Sequence, residues 1–473
     1  MFEQIRRDRM AVPFAGAAAG TAPLTWGQQA ILRDMRDNED QFTMFGAIPL
    51  PAGAAAADAA AWLNALTHRH AALRMRLGSG PGGLPCQEVA GSGETGLDVL
   101  TIPDDAGEDG RERFVDHLIA TMPRAPFDFR RDWPLRVAVV RHRGACRDLV
   151  WALSHLAGDG TANLLLLREL QQAVAGGAAG DPPRPQILDV ASSEQEPQLR
   201  QLSSRAMRYW RSQLSHIPAL TFGEPAHGGA AGPRYRQVGF SSAAAHLAIL
   251  AIAERTGTDA SRATLAVIAT AIGRVTGVHP LTVNVMVSNR FRPGLAGVFA
   301  PVAQNSVVTI DVAGSSVDEV VAQARGASLT AGMRAYYDPG DLAELTARSD
   351  AERGYPARVS CRFNDQRAMV SRPEEDALAD LTPERLRQRL AETALAWDRP
   401  LPRLHDQVSI IIQNKPGVLS LQAKCDLWCL PSGQAEALLR GIEEVAVAAA
   451  FDPAVPAGVL PRDGGHAAAP ARS

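Results

Sequence analysis

Apolar positions along the chain follow two different spacings, and segments of one kind alternate with segments of the other. Apolar residues three and four positions apart predict amphipathic helices, whereas short apolar runs rich in β-branched residues predict strands. The predicted helices cover residues 25–35, 54–66, 161–174, 201–214, 241–255, 261–277 and 432–450. The predicted strands cover residues 135–142, 148–153, 235–240, 281–287, 306–312, 358–363, 408–413 and 419–425. This alternation predicts an α/β fold in which mixed sheets are backed by helices.

The length of the chain and one change in composition predict two lobes. A chain of 473 residues is too long for one ordinary core. Between residues 176 and 199 the periodicity disappears and Gly, Pro and Ser accumulate, which is typical of a linker. The predicted organisation is a flexible N-terminal lead (1–22), a first lobe (23–180), a linker (181–200), a second lobe (201–455) and a disordered tail (456–473).

Composition excludes several classes of protein. Hydrophobic residues make up 46% and charged residues 21% of the chain, as in ordinary globular enzymes. The net charge of −3 and the lack of a basic run with interleaved aromatic residues argue against a nucleic-acid partner. The first residues lack the apolar core of a signal peptide, and residues 11–22 are too short and glycine-broken to span a bilayer. We therefore expect no membrane partner.

Five scattered cysteines give no ligand pattern for a metal. Cys425 and Cys429 lie four residues apart, without a second pair elsewhere in the chain. A structural zinc site needs four converging ligands, so this spacing favours packing over metal binding. An odd number of scattered cysteines fits a reducing compartment, and we expect a cytoplasmic protein without a bound metal.

The segment with the strongest candidate chemistry lies where a predicted strand meets a predicted helix. Residues 154–160 read Ser-His-Leu-Ala-Gly-Asp-Gly. His155 at this corner can present its imidazole to a cavity, and Asp159 can fold back to hold the loop. An oriented ring that titrates near neutral pH is what a general base needs. A buried histidine followed by an ordinary Asp-Gly turn gives the same pattern, so the segment alone leaves both interpretations open.

Ser154-His155-x-x-x-Asp159-Gly160 resembles the His-His-x-x-x-Asp-Gly signature of the condensation-domain superfamily of nonribosomal peptide synthetases, whose relatives include chloramphenicol acetyltransferase. Other segments resemble further motifs of that family, in the family's order. They are Leu24-Thr25-x-x-Gln28, Arg69-His70-x-x-Leu73-Arg74, Pro126-Phe127-Asp128 with Pro134-Leu135-Arg136, Tyr209-Trp210, and residues 282–290 and 297–306. The likeness runs from about Leu24 to Pro453. Each motif is weak alone, and their agreement in order makes the resemblance strong.

The resemblance implies two chloramphenicol-acetyltransferase-like lobes that form a V-shaped pseudo-dimer with a central tunnel. In such a protein the active histidine lies midway along the tunnel. The implied donor is a phosphopantetheine-linked thioester on an acyl or peptidyl carrier protein, or coenzyme A, and no cofactor is bound permanently. The implied acceptor is an amine or hydroxyl on a small molecule or on a second carrier.

The family's functional residues can be carried over where the motifs match. His155 matches the catalytic histidine, Asp159 the aspartate that orients the loop, and Gly160 the glycine whose amide approaches the thioester carbonyl. Arg290 stands where the family has an arginine paired with that aspartate. Asn364 stands where some relatives have a tunnel asparagine.

Three further residues have supporting positions. Arg69 and Arg74 fit equally well a solvated helix end or a structural role beneath the active-site loop. Ser154 replaces the first histidine of the signature. Because that histidine is mainly structural in the family, its loss does not by itself abolish activity, but it leaves room for a degenerate member.

The implied reaction is acyl transfer from a thioester to an amine or hydroxyl in natural-product biosynthesis. His155 then acts as a general base, or only positions the nucleophile and stabilises the tetrahedral intermediate. The alternative, suggested by Ser154, is a catalytically silent condensation-like module that recruits a carrier protein or partner enzyme. Because no adenylation domain or carrier motif is visible in the sequence, we expect a free-standing condensation enzyme.

Overall fold

The computed structural model of the protein describes residues 5–177, 180–217, 221–222, 232–367, 378 and 380–459. The described chain forms two compact units, each of mixed helices and sheets, and the predicted α/β class is confirmed. The first unit contains Met1–Ser204, Ser288–Gln304 and Tyr336–Pro339. The second contains Arg205–Val287, Asn305–Ala335 and Gly340–Ser473.

The first unit carries eight strands and five complete α-helices among its described residues. The strands are β1 (Arg6–Ala15), β2 (Gly20–Pro23), β3 (Met44–Pro49), β4 (Met75–Ser79), β5 (Pro85–Val89), β6 (Ser92–Thr101), β7 (Leu135–His142) and β8 (Ala145–Leu153). The helices are α1 (Trp26–Asn38), α2 (Ala56–Arg69), α3 (Gly107–Thr121), α4 (Gly160–Val174) and α5 (Ile187–Ser193). Helix α6 (Pro197–Leu214) begins in this unit and ends in the second.

Two sheets organise the first unit. The larger has the order β1-β6-β7-β8-β3, in which only β6 and β7 are parallel, and the smaller has the antiparallel order β2-β5-β4. Strand β8 lies inside the larger sheet, and its residues 148–153 are buried. The hairpin between β7 and β8 turns at Arg143 and Gly144, which both have positive φ. This strand ends at the candidate histidine loop.

The predicted flexible lead is corrected by strand β1. Residues Arg6–Ala15 pair antiparallel with Ser92–Thr101 of β6 along their whole length. Val12 and Phe14 are buried, while most other β1 side chains are exposed. An edge strand with one partner exposes many of its side chains, so its sequence lacks the apolar run that would have predicted a strand.

The predicted linker is also corrected. Residues 187–193 form α5, and α6 begins at Pro197 rather than at residue 201. Ile187 and Val190 are buried in the core of the first unit. The segment was predicted to be a linker because α5 is short and lies between Pro-rich and Ser/Glu/Gln-rich stretches.

The second unit is built on one large sheet covered by long helices. Its strands are β9 (Tyr235–Ser242), β10 (Leu281–Val287), β11 (Gln304–Ile310), β12 (Cys361–Asp365), β13 (Ala394–Pro400), β14 (Val408–Gln413) and β15 (Leu419–Asp426). Its helices are α7 (Ala243–Thr256), α8 (Ala260–Thr276), α9 (Val317–Met333), α10 (Pro339–Arg353), α11 (Pro383–Arg389) and α12 (Ser432–Ala449). The strand order is β11-β10-β12-β14-β15-β9-β13, with β10, β12 and β14 parallel.

The boundaries of the units differ from the predicted lobes because two segments of the second half belong to the first unit. These segments are Ser288–Gln304 and Tyr336–Pro339. Leu295, Val298 and Phe299 contribute to the apolar core of the first unit. A change in composition can mark a linker between domains, but it does not reveal a segment that leaves one unit and packs in the other.

The predicted tail falls partly outside the described residues, which end at residue 459. Within the described part, Ala457 is buried and Pro456 bridges to Ser316, so the start of the predicted tail is ordered. Over the same described residues, none of the helices has the length and apolar character that crossing a bilayer requires.

Candidate functional site

Residues 154–160 form the turn from β8 into α4, and Ser154 closes it. The buried Ser154 donates its amide to the Pro134 carbonyl oxygen at 2.8 Å. Its hydroxyl accepts the Leu156 amide at 3.3 Å, and its carbonyl accepts the Ala157 amide at 3.0 Å. Serine at this position therefore holds the turn with its own side chain.

Asp159 is buried and its carboxylate accepts four hydrogen bonds. It is the N-cap of α4, where Oδ1 accepts the Ala162 amide at 3.0 Å. The Arg290 Nη2 donates to the same oxygen at 2.5 Å. Oδ2 accepts the amides of Val302 and Ala303 at 3.1 and 3.2 Å. These four donors occupy both oxygens of the carboxylate, so Asp159 anchors the turn to α4 and to residues 290–303.

Arg290 connects Asp159 to the loop that follows the arginine itself. Besides the ion pair, its guanidinium donates to the carbonyl oxygens of Leu295, Val298 and Ala300 at 3.1, 2.5 and 3.0 Å. The preceding residue, Asn289, has a left-handed φ of 57° and donates its side-chain amide to the Val302 carbonyl at 2.9 Å. The expected pairing of Arg290 with Asp159 is thus present, and the pair folds residues 289–303 around the carboxylate.

His155 is partly buried, and its surroundings favour the neutral ring. Loss of water around the imidazole lowers the pKa of His155 below its ordinary value of 6.5. The negative charge of Asp159, the backbone at His155 and Gly158, and the charge of Asp34 act in the opposite direction, but they do not overcome desolvation. The ring nitrogen Nδ1 is buried. At neutral pH the loop therefore carries a neutral imidazole beside a fixed carboxylate.

Gly160 is the first residue of α4 and follows the capping aspartate directly. The first turn of a helix carries amides without partners inside the helix and the positive end of its dipole. The role of the Gly160 amide toward a thioester carbonyl stays a prediction.

Arg69 and Arg74 make structural contacts. Arg69 donates from Nε to Oε1 of Glu169 on α4 at 3.0 Å, and its Nη1 donates to the Asp181 carbonyl at 2.5 Å. Arg74 is fully buried and donates to the carbonyls of Thr67 and Ala90. Burial lowers the pKa of Arg74 below its usual value. A solvated helix end is therefore excluded for Arg74, and the contacts described for both arginines lie outside residues 154–160.

Asn364 lies in β12 of the second unit, where it pairs in parallel with Ile411 of β14. Its role as a tunnel asparagine stays a prediction. Cys425 and Cys429 are buried free thiols, and burial raises the pKa of Cys425 to about 12. In the described ranges, no three His, Cys, Asp or Glu side chains are grouped in a way that could hold a metal ion.

A buried carboxyl that anchors α1 was not predicted from the sequence. Glu194 accepts the Trp26 amide at 2.7 Å on one oxygen and the Tyr336 hydroxyl at 2.7 Å on the other. Burial raises the pKa of Glu194 to about 8, although the hydrogen bonds from Tyr336 and Trp26 lower it and the charge of Asp338 raises it. Glu194 lies in the predicted linker, so no local pattern indicated its role.

Gln28, which lies in the motif Leu24-Thr25-x-x-Gln28, is a second functional residue that was not predicted. Its side chain is fully buried and forms a capping box with Thr25 at the start of α1. The Gln28 Nε2 also donates to the Leu156 carbonyl oxygen at 3.2 Å. The spacing from Thr25 to Gln28 is that of a capping box, but no local signal predicted the contact with the histidine loop.

One family model and several known proteins match this chain over half of its length or more. A family model described as "Condensation domain" matches residues 18–376. Phosphinothricin tripeptide synthetase PhsC of Streptomyces viridochromogenes is 28% identical over 275 residues, which cover 56% of this chain and 25% of that protein. AMB antimetabolite synthetase AmbB of Pseudomonas aeruginosa is 29% identical over 250 residues, which cover 50% of this chain and 19% of that protein. These alignments cover a quarter or less of the relatives' own length.

The fold of this chain is similar to that of a solved structure. The structure described as the molecular basis for condensation domain-mediated chain release from the enacyloxin polyketide synthase has a TM-score of 0.70. The match covers 97% of this chain and 86% of that chain, at 18% identity. At this identity the likeness supports the fold and carries no statement about substrate.

Asp159→Asn should destabilise the protein strongly. The substitution removes the negative charge that compensates Arg290. It also replaces one of the two acceptor oxygens with an NH₂ group, which cannot accept the hydrogen bonds that the backbone amides now donate. We expect the free energy of unfolding to fall by about 3 kcal/mol in urea titrations, as for other broken buried ion pairs. Asp8→Asn, in an exposed ion pair with Arg6, is the control and should cost less than about 1 kcal/mol. Equal losses of unfolding free energy in the two variants would contradict the proposed contribution of Asp159 to stability.

Glu194→Gln should change how stability depends on pH. The folded carboxyl, with a pKa of about 8, keeps a proton that the unfolded chain, with an ordinary value of 4.5, releases. The carboxyl therefore stabilises the fold below pH 4.5, and this contribution is lost as pH rises to about 8. Glutamine does not ionise: its oxygen accepts the Trp26 amide, and its NH₂ group donates to the Tyr336 oxygen, which reverses the direction of that bond. The stability of the variant relative to the wild type should therefore rise by up to about 1.4 kcal/mol per pH unit across this window.

The measurement is urea unfolding of both proteins at several pH values between 5 and 9. Glu196→Gln, an exposed carboxyl two residues further along, is the matched control and should leave the pH dependence unchanged. Parallel curves for wild type and Glu194→Gln would show that Glu194 does not titrate in this range.

Proposed function

The chain belongs to the condensation-domain family, and on that premise we propose that it is an acyltransferase that forms an amide or ester bond from a carrier-bound phosphopantetheine thioester. The observation that carries this proposal is the difference between His155 and Asp159. Asp159 is committed to four hydrogen-bond donors, whereas His155 is a partly buried ring with a lowered pKa. The loop thus offers one base that is neutral at physiological pH and one carboxylate whose two oxygens are occupied by hydrogen-bond donors.

In the proposed reaction an amine or hydroxyl attacks the thioester carbon while His155 accepts its proton. We assign the accepting atom as Nε2, since Nδ1 is buried. The new carbon–nitrogen or carbon–oxygen bond forms, the carbon–sulfur bond breaks, and the proton leaves with the thiol of the pantetheine arm. Because a thioester is already activated, this assistance suffices without a covalent enzyme intermediate.

The developing oxyanion is the second charge that the site must stabilise. We propose that the Gly160 amide, at the positive end of α4, donates to it. Arg290 and Asp159 fix the start of α4 and therefore hold this amide in place. Hydrogen bonding from His155 to the intermediate is the alternative to proton abstraction, and the two roles differ in their pH dependence.

The serine in place of the first histidine is compatible with activity. Ser154 uses its hydroxyl and backbone to close the turn that carries His155. This supports an active enzyme over the silent module for which Ser154 was the clue. A carrier protein is the proposed donor partner, with coenzyme A as the simpler source of the same arm, and no permanently bound cofactor is required.

His155→Ala should abolish most product formation and leave the fold intact. Removal of a general base typically costs 10²- to 10⁴-fold in rate. The assay uses pantetheine and coenzyme A thioesters of acetyl, longer acyl and aminoacyl groups, and the same groups loaded on carrier proteins, with primary amines and alcohols as acceptors. Product is measured by mass spectrometry, and folding by circular dichroism.

His117→Ala, an exposed histidine on α3, is the matched control and should retain turnover within about twofold. Full turnover in His155→Ala would refute the proposed base. A wild-type protein that binds one carrier tightly and transfers none of these acyl groups would instead support the silent module.

The pH profile should show an acid limb below the ordinary histidine value. Because the pKa of His155 is lowered from 6.5, the neutral form persists to lower pH than usual. The logarithm of kcat/KM should therefore be level near pH 7 and fall with unit slope only below pH 6.5. An acid limb above pH 6.5 would contradict a lowered pKa of His155. A profile without an acid limb would favour hydrogen bonding to the intermediate over proton abstraction.

A further inference from the structure

The Gln28 side chain joins three segments of the first unit, although none of its atoms is exposed. Its Oε1 accepts the Thr25 amide at 2.9 Å and completes the cap of α1. Its Nε2 donates to Met75 Sδ at 3.1 Å and to the Leu156 carbonyl oxygen at 3.2 Å. Leu156 is the residue that follows His155, so this amide reaches the backbone of the histidine loop itself.

The helix turn that carries Gln28 is fixed on its other sides. The Trp26 amide donates to Glu194, and the Trp26 ring packs against Tyr336 with centroids 5.0 Å apart. Gly27 lies so close to the Pro301 carbonyl oxygen that a Cβ atom would overlap it. The side chain of Gln28 therefore extends from a rigid support, and a hydrogen bond from a rigid support restricts the group that accepts it.

The same turn also borders the second segment that defines the site. Pro301, which Gly27 touches, immediately precedes Val302 and Ala303, whose amides bind Asp159. The first turn of α1 is thus in contact with the backbone that holds Asp159 and with the backbone that carries His155. Without the Gln28 amide, the Leu156 carbonyl loses the bond that ties it to this turn.

We infer that Gln28 is a positioning residue that holds the His155 loop in its productive geometry through the Leu156 carbonyl. This inference rests on the proposed function, because it assigns Gln28 an effect on the step that His155 assists. Gln28 itself does not touch the reacting atoms. Small displacements of a catalytic group can cost about 10²-fold in rate, so loosening this loop should reduce kcat more than it weakens substrate binding.

The chain offers a variant that removes one bond and a matched control. Gln28→Glu retains an oxygen for the Thr25 amide, since glutamate serves equally well in a capping box, but it loses the donor to Leu156. Gln29→Glu makes the same chemical change one residue along α1, where Nε2 donates to the Leu24 carbonyl at 2.9 Å and not to the loop. Gln28→Met removes the donor without adding a charge and covers the case in which Gln28→Glu does not fold.

The first readout is amide hydrogen exchange in the peptide covering residues 154–162, measured by mass spectrometry on the full chain without substrate. We expect exchange in this peptide to accelerate about fivefold in Gln28→Glu and in Gln28→Met, which corresponds to the loss of one ordinary hydrogen bond. In Gln29→Glu the rate should stay within about twofold of the wild type. Unchanged exchange in both Gln28 variants, or equal acceleration in Gln29→Glu, would overturn the inference.

The second readout is the division of the effect between kcat and KM, with the thioester that the wild type turns over. In Gln28→Glu we expect kcat to fall by about 10- to 100-fold with KM within about threefold, while Gln29→Glu retains both constants. Accelerated exchange with unchanged kcat would reduce Gln28 to a purely structural residue and overturn the inference. Full turnover in His155→Ala would refute the proposed function instead, and the exchange measurement would still decide whether Gln28 holds the loop.

Discussion

The buried carboxylate of Asp159 is the charge around which the first unit is arranged. A buried ion is costly unless paired and hydrogen-bonded, and here the compensation comes from distant parts of the chain. The Ala162 amide belongs to the following helix, whereas Arg290, Val302 and Ala303 belong to a segment more than a hundred residues away. That segment must therefore fold with the first unit, as the division of the chain into units shows.

This arrangement also gives different roles to His155 and Asp159, which lie four residues apart in the sequence. Asp159 receives hydrogen-bond donors on both oxygens, while burial favours the neutral form of the His155 imidazole. The fixed negative charge opposes the effect of desolvation on the imidazole but does not cancel it. One turn therefore supplies a rigid anchor and a base, and the start of α4 adds an oriented amide at Gly160.

The sequence was most informative for features that depend on residues close together in the chain. The Thr25 cap and the bounds of β7 follow from local pattern, and the pairing of Arg290 with Asp159 followed from family resemblance rather than from any local signal. Strand β1 was missed because its stability comes from a partner, Ser92–Thr101, that lies far along the chain, while most of its own side chains face solvent. The contacts of Gln28 and Glu194 are also long-range. A pattern within a short window contains no information about which buried polar group will meet which carbonyl.

The discontinuity of the first unit limits how this chain can be recombined with a relative. A crossover in residues 181–200, where composition suggests a joint, would take Asp159 from one parent and Arg290 from the other. The hybrid would keep the ion pair only if the second parent's residues 288–304 followed the same path around the carboxylate. Segments exchanged between such proteins should therefore be chosen by shared contacts, with the arginine segment transferred together with the N-terminal residues that it encloses.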